Sequence, residues 1–259
     1  MPKYGLCVGA MFKNESTGMK EWLEHYIRRG VDHFYLIDDS STDNYMEILE
    51  PYIEKDIVTL FTTKDWPRRL GRQMNLYNTY ILPRLKETQW LLMCDLDEFV
   101  WSPIDVNMYN VLSRTCSDLG QIQVNHRLYG SSGHIKQPES IVNSFTKRGK
   151  LENVGIIYKY FVNSKFEFAS LATHHAIFKN KEYENVKYFL AVTQDYFITN
   201  HYCCQSREFW DKIKCTRGDS DAYLVRTEDD FAHWDLNEEE DLGLIIQNEE
   251  WEMEQRSKK

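Results

Sequence analysis

Acidic pairs stand where buried strands of this chain should end. Asp95-Leu96-Asp97-Glu98 directly follows the apolar run Trp90-Leu91-Leu92-Met93-Cys94, and Asp38-Asp39 follows Phe34 to Ile37. Carboxylates leaving a buried strand are costly unless they are solvated, hydrogen-bonded or bound to a cation. Hard divalent ions such as Mn²⁺ or Mg²⁺ take carboxylate and phosphate oxygens, which makes Asp95 and Asp97 candidate metal ligands. The spacing alone is weak evidence, because Asp219-Ser220-Asp221 repeats it. The strand in front of the first instance singles it out; its plain alternative is a solvated strand end or a helix cap. Arg68, Arg69 and Arg72 offer guanidinium donors to a phosphate, or form no more than a solvated helix start. His174, His175 and His201 are further possible ligands, although a lone histidine is more often structural. Gly130-Ser131-Ser132-Gly133-His134 reads as a donor-rich loop able to close on a sugar or phosphate, or as an ordinary turn.

These groups need a scaffold that brings them together. Gly5 to Phe12 reads as a buried strand, followed by Asn14-Glu15 and a helix whose Met19, Trp22, Leu23, Tyr26 and Ile27 share one face. Ser16 or Thr17 is expected to cap that helix, and Arg28-Arg29-Gly30 to end it. Phe34 to Ile37 predicts a second strand, with Asp43 capping a helix that carries Met46, Leu49 and Ile53. Ile57 to Phe61 predicts a third strand, then a helix with Leu70, Met74, Tyr77 and Ile81, then the strand Trp90 to Cys94. Such alternation implies a parallel sheet with right-handed crossovers. Ligands of such sheets sit beyond the carboxyl ends of the strands, where Asn14-Glu15, Asp38-Asp39 and Asp95/Asp97 would all fall. After residue 120 the pattern loosens. Strands are expected at Gln121 to Val124, Gly155 to Val162 and Tyr196 to Thr199, and helices at Glu208 to Cys215 and Glu238 to Glu254. Phe209 and Trp210 are expected to pack the first of these helices against the sheet, or to form an acceptor platform. The reading is one α/β domain over 1–259, with a nucleotide-type half at 1–100 and an acceptor-side half with C-terminal helices at 101–259.

Composition narrows the function classes. In 259 residues, 31 Lys and Arg face 40 Asp and Glu, a formal charge of −9. A bulk nucleic-acid binder would carry a basic footprint instead. Any phosphorylated ligand needs local compensation by arginines or a metal ion. Cysteines 7, 94, 116, 203, 204 and 215 form no C-x-x-C pair and read as buried free thiols in a reducing compartment. No transmembrane run or signal peptide is read, so a cytoplasmic location is expected.

The residues also carry a family resemblance. Asn14-Glu15 with Trp22-Leu23 and Gly30, the run Tyr35 to Asn44, and Asp95 to Phe99 resemble GT-A glycosyltransferases of the family-2-like kind. Tyr129 to His134 with Pro138, and Asn200-His201-Tyr202 with Ser206, Phe209, Lys212, Arg217 and Gly218, resemble the family 92 (DUF23) group and its relatives in large DNA viruses. That resemblance spans most of residues 4 to 218. It implies a GT-A, Rossmann-like α/β fold with a mostly parallel central sheet flanked by helices. It implies transfer of a sugar from a nucleotide-diphosphate donor, UDP-linked, to a glycan or glycoprotein acceptor with inversion. By position, Ala10, Phe12, Glu15 and Asp39 would line the uridine pocket, with Arg68 and Arg72 toward the phosphates. Asp95 would approach the ribose or the ion, and Asp97 would bind it. His201 is the preferred additional metal or phosphate ligand, with His174 or His175 as the alternative, and Gly130, Ser131, Ser132, Gly133 and His134 would face the acceptor. The proton acceptor is open among Asp195, Glu208 and Asp219. A sugar-nucleotide nucleotidyltransferase is the second reading, although Met11 to Glu15 lacks the glycine-rich phosphate loop of that class. An inactive nucleotide- or sugar-binding module is the third, disfavoured by retention of both Asp95 and Asp97.

Overall fold

The computed structural model describes residues 2–63, 67, 69–151, 158–218 and 225–258. Its first half alternates as the apolar pattern requires: β1 (Tyr4–Phe12), α1 (Ser16–Arg28), β2 (His33–Asp38), α2 (Tyr45–Glu54), β3 (Val58–Thr62), α3 (Arg72–Leu76), and β4 (Thr88–Met93). Then come β5 (Glu98–Trp101), α4 (Met108–Thr115), β6 (Gln121–Leu128), α5 (Ile141–Ser144), β7 (Lys147–Arg148), β8 (Tyr158–Asn163), β9 (Phe168–Leu171) and β10 (Ala176–Phe178). The chain continues through β11 (Phe189–Thr193), β12 (Ile198–His201), α6 (Arg207–Phe209), a π-helical turn at Trp210–Lys214, α7 (Cys215–Arg217), α8 (Glu228–Trp234), β13 (Glu239–Glu240) and α9 (Gly243–Ser257).

One curled sheet runs β3-β2-β1-β4-β8-β6-β12-β5, with β11 also on β6. Its β3-β2-β1-β4 part is parallel, as expected. Beyond β4 it becomes mixed: β8 is antiparallel to β4 and β6, and β12 lies parallel to β6 but antiparallel to β5. Strand β1 is buried on both faces. Leu6, Val8, Ala10 and Phe12 share a core with Trp22, Leu23 and Tyr26 of α1, while Cys7 joins Tyr35, Ile37, Tyr77 and Ile81 on the other side. A strand covered on both faces reads as a continuous apolar run, which is why β1, β2 and β4 were legible.

Several local expectations are corrected. Neither Ser16 nor Thr17 caps α1, and Asp43 does not cap α2; instead the Asp43 carboxylate accepts from the Ser16 N–H at 2.8 Å, so it serves α1 from across the fold. Gly30, at φ 81°, does end α1. The helix expected from Leu70 begins only at Arg72, because Gly71 sits at φ 75°, a left-handed conformation that cannot continue a helix, and Leu70 is 88% exposed. Tyr77 and Ile81 are buried as expected, but in a π-helical turn. The strand expected from Gly155 is described from Tyr158 onward. The last helix starts at Gly243 rather than Glu238, because residues 239–240 pair with β7. All six cysteines are free thiols, five of them buried. Among the described residues, no helix is long and apolar enough to cross a membrane.

Candidate active site

At the carboxyl ends of β1, β2 and β4 a cleft of about 520 Å³ opens, bounded on its far side by the segment that follows β12. Phe12 and Glu15 reach it from the end of β1, Asp39 from β2, Asp95 and Asp97 from β4, and His201 from β12. Residues 15, 39 and 97 therefore meet at one rim.

The turn carrying Asp95 and Asp97 is fixed by its backbone. The Trp22 indole N–H donates to the carbonyls of both Asp95 and Glu98 at 3.0 Å, and the Tyr26 hydroxyl donates to the Glu98 carbonyl at 3.0 Å. The Glu98 carboxylate accepts from the Asp95 N–H at 2.8 Å, and the Asp97 carbonyl accepts from the Tyr202 N–H at 2.8 Å. Antiparallel pairing of β5 with β12 sets His201 opposite Glu98, which leaves the imidazole Nε2 3.6 Å from Asp97 Oδ1.

Every acid of this rim has a cationic neighbour. Lys214 Nζ lies 2.5 Å from Asp97 Oδ2, and Lys159 Nζ lies 2.7 Å from Asp95 Oδ2 and 3.7 Å from Glu98 Oε2. Arg72 Nη1 is 2.7 Å from Asp39 Oδ1, while its Nη2 donates to Thr63 Oγ1 at 3.0 Å. Arg217 is paired with Glu15. The charges follow from these contacts. Burial opposes ionisation of Asp97, yet Lys214 and His201 hold its carboxyl well below the usual carboxylate range. Burial likewise opposes a charge on His201, but Asp97 beside it raises the imidazole to about 9. Burial outweighs Lys159 at Glu98 and lifts that carboxyl to about 7. Burial also raises Glu15, against the pull of Arg217.

The chain's residues 3–238 match the model of glycosyltransferase family 92. The chain belongs to glycosyltransferase family 92. It is 24% identical over 246 residues to a family 92 protein of Oryza sativa subsp. japonica, and 25% identical over 226 residues to one of Ricinus communis. Those matches cover 93% and 82% of this chain but 38% and 36% of the relatives, so the chain spans little more than a third of their length. Among solved structures it is similar to Staphylococcus aureus TarS 1–349 in complex with UDP (13% identity, TM-score 0.43, 76% of this chain and 60% of that one). For TarS 1–349 in complex with UDP-GlcNAc the values are 15%, 0.45, 79% and 60%.

Within this family 92 chain, Phe12, Glu15, Asp39, Asp95, Asp97 and His201 all line the cleft, and so does His174. Ala10 does not: it is fully buried in the core against α1, because alternation along β1 turns its methyl inward, and Met11 reaches the cleft instead. Arg72 is 2% exposed and acts on the cleft through Asp39. Arg68 and Asp219 lie outside the described residues. Asp195 is exposed and Glu208 pairs with Lys212 at 2.7 Å; neither lines the cleft. Gly130, Ser131, Ser132, Gly133 and His134 are also outside its lining. Their loop is tied down by its own N–H groups, Ser131 to Asp235 Oδ1 at 2.6 Å and Ser132 to Asn237 Oδ1 at 2.7 Å. Of the basic residues after β12, Lys212 bonds the surface Glu208, and Lys214 is the lysine in the cleft. Sequence reasoning missed Lys159 and Lys214. A lysine inside an apolar strand must find a buried partner, and the three-residue spacing of Lys214 and Arg217 places both on one helix face; those were the available signals.

Proposed function

We propose that this chain transfers a sugar from a UDP-linked donor to a glycan or glycoprotein acceptor, with inversion at the anomeric carbon and a divalent ion, Mn²⁺ or Mg²⁺, at the donor phosphates. The observation that carries this reading is the meeting of Glu15, Asp39, Asp95, Asp97 and His201 in one cleft beyond the strand ends. The residues fit an ion: Asp95, Asp97 and Glu98 each offer an oxygen within 4.8 Å of the others'. His201 Nδ1 is buried with no hydrogen-bond partner among the described residues, an orphan that a ligand or water would satisfy. Asp97 and Asp95 would hold the ion, with His201 beside them. A bound divalent ion neutralises charge developing on the leaving diphosphate.

The chain's own groups do the rest. Phe12 and Met11 give the cleft an apolar wall for the base, and Asp39, fixed by Arg72, offers oxygens to sugar or ribose hydroxyls. Lys214 and Arg217 supply cations on the opposite side. The competing nucleotidyltransferase reading needs a loop after β1 whose N–H groups cradle phosphates. Here the Asn14 N–H donates to Ser41 Oγ at 3.0 Å and the Ser16 N–H to Asp43, so those donors are spent.

Calorimetric titration with UDP, with and without Mn²⁺, tests the proposal. Mn²⁺-dependent binding is expected, and Asp97→Asn should weaken it about 100-fold. The asparagine variant is preferable to alanine, since both remove the charge facing Lys214 but only the amide keeps an oxygen there. Slow Mn²⁺-dependent hydrolysis of one member of a nucleotide-sugar panel is expected; binding without any hydrolysis would favour the inactive module.

A further inference from the structure

The segment from α6 to α7 crosses the cleft and is fastened to the strand ends through charge. Lys214 Nζ sits 2.5 Å from Asp97 Oδ2, Arg217 pairs with Glu15, Arg217 Nη1 donates to the Lys13 carbonyl at 2.9 Å, and Lys13 Nζ donates to the Arg217 carbonyl at 3.2 Å. The Lys214 and Asp97 side chains are only 11% and 7% exposed. With His201 Nε2 3.6 Å from Oδ1 and Lys214 Nζ 2.5 Å from Oδ2, a nitrogen donor faces each oxygen of Asp97.

A divalent ion on Asp97 Oδ2 would compete with the Lys214 ammonium for that oxygen and repel it at close range, which favours release of Lys214 from Asp97. A displaced ammonium in a confined site is strongly unfavourable unless it gains another anion. A diphosphate entering the same cleft supplies that anion, and Lys214, a compact charge on a flexible four-carbon stem, can swing to it. The π-helical turn that ends at Lys214 is a departure from regular helix of the kind that recurs at functional sites.

We propose that Lys214 is a charge in reserve: it neutralises Asp97 in the empty cleft and transfers to the nucleoside diphosphate when the ion takes Asp97, so that ion and nucleotide bind cooperatively. The inference rests on the reading of Asp97 as an ion ligand. By thermodynamic reciprocity, the nucleotide must raise ion affinity by the factor the ion raises nucleotide affinity.

The test measures free Mn²⁺ by electron paramagnetic resonance in titrations of the protein alone, with uridine and with UDP. For the parent protein, UDP should tighten Mn²⁺ binding about tenfold or more and uridine should not. Lys214→Met should bind Mn²⁺ about tenfold more tightly than the parent without nucleotide, and lose most of the UDP enhancement. Lys214→Arg, which keeps the charge, should retain more of the enhancement, and thermal melts of both variants in EDTA report whether they fold. If Lys214→Met does not fold, Lys214→Gln takes its place in the same titrations, with the same expected and overturning outcomes. Unchanged nucleotide-free Mn²⁺ affinity in Lys214→Met, or a full UDP enhancement without the lysine, overturns the inference while leaving Asp97 as a ligand. A parent protein that takes up no Mn²⁺ with UDP overturns both readings together.

Discussion

The two sides of the cleft are built differently. The floor, at the ends of β1, β2 and β4, is placed by parallel strand register and by hydrogen bonds from α1 to the Asp95–Glu98 turn. Its positions follow from a core that is buried on both faces. The opposite wall, residues 201–217, consists of a strand end, two single-turn helices and a π-helical turn, joined to the floor by Lys214–Asp97 and Arg217–Glu15. Rigid packing fixes the acids, while ion pairs hold the cations over them. The wall keeps its own buried anchors, Phe209 and Trp210, so the contrast leaves its cationic side chains free to change partners, since ion pairs exchange and an interdigitated core does not.

The largest expected effect breaks the floor. Trp22 is fully buried, and Trp22→Ala should cost about 4 kcal/mol of folding stability through the cavity and the loss of one donor from each of two carbonyls. A chemical denaturation midpoint close to the parent's would show that the floor does not depend on α1.

A smaller effect is expected where the C-terminal part docks. Asp241 lies 2.7 Å from Arg148 Nε and 3.0 Å from Arg127 Nη1, and despite burial these arginines hold its carboxyl below the usual range. A depressed folded-state pKa contributes stability above the unfolded value, about 3.9, and loses it as the pH falls through the folded one. Asp241→Asn should therefore be less stable than the parent by about 2 kcal/mol at neutral pH. The gap should close below about pH 4, as read by thermal melts across pH. A gap independent of pH would assign the loss to packing instead.

The smallest effect sharpens the wall's outer face. Glu208, held down to about 2 by Lys212 and the Gln137 N–H, does not line the cleft. Glu208→Gln should leave donor hydrolysis within about twofold of the parent. A loss of several orders of magnitude would make Glu208 the proton acceptor and require the wall to rotate.

The same contrast explains what could be read from residues alone. Strands β1, β2 and β4 and the convergence of Glu15, Asp39 and Asp97 followed from apolar runs ending in acids, a local signal. The cap on α1 comes from Asp43, more than a helix away in sequence, so no local rule reveals it. Strand β5, four residues long, exists because it pairs with β12, a partner about a hundred residues on. Lys214 was missed in favour of Lys212 because both lie on one short helical segment, and only the third dimension tells which faces Asp97.

The shared indole N–H of Trp22 has one more implication. A single donor that reaches the carbonyls of residues 95 and 98 together acts as a gauge of the loop between them. Leu96 is itself buried in the core, and inserting or deleting one residue beside it would move a carbonyl out of reach of the indole. The length of that loop is therefore held by a residue that does not line the cleft.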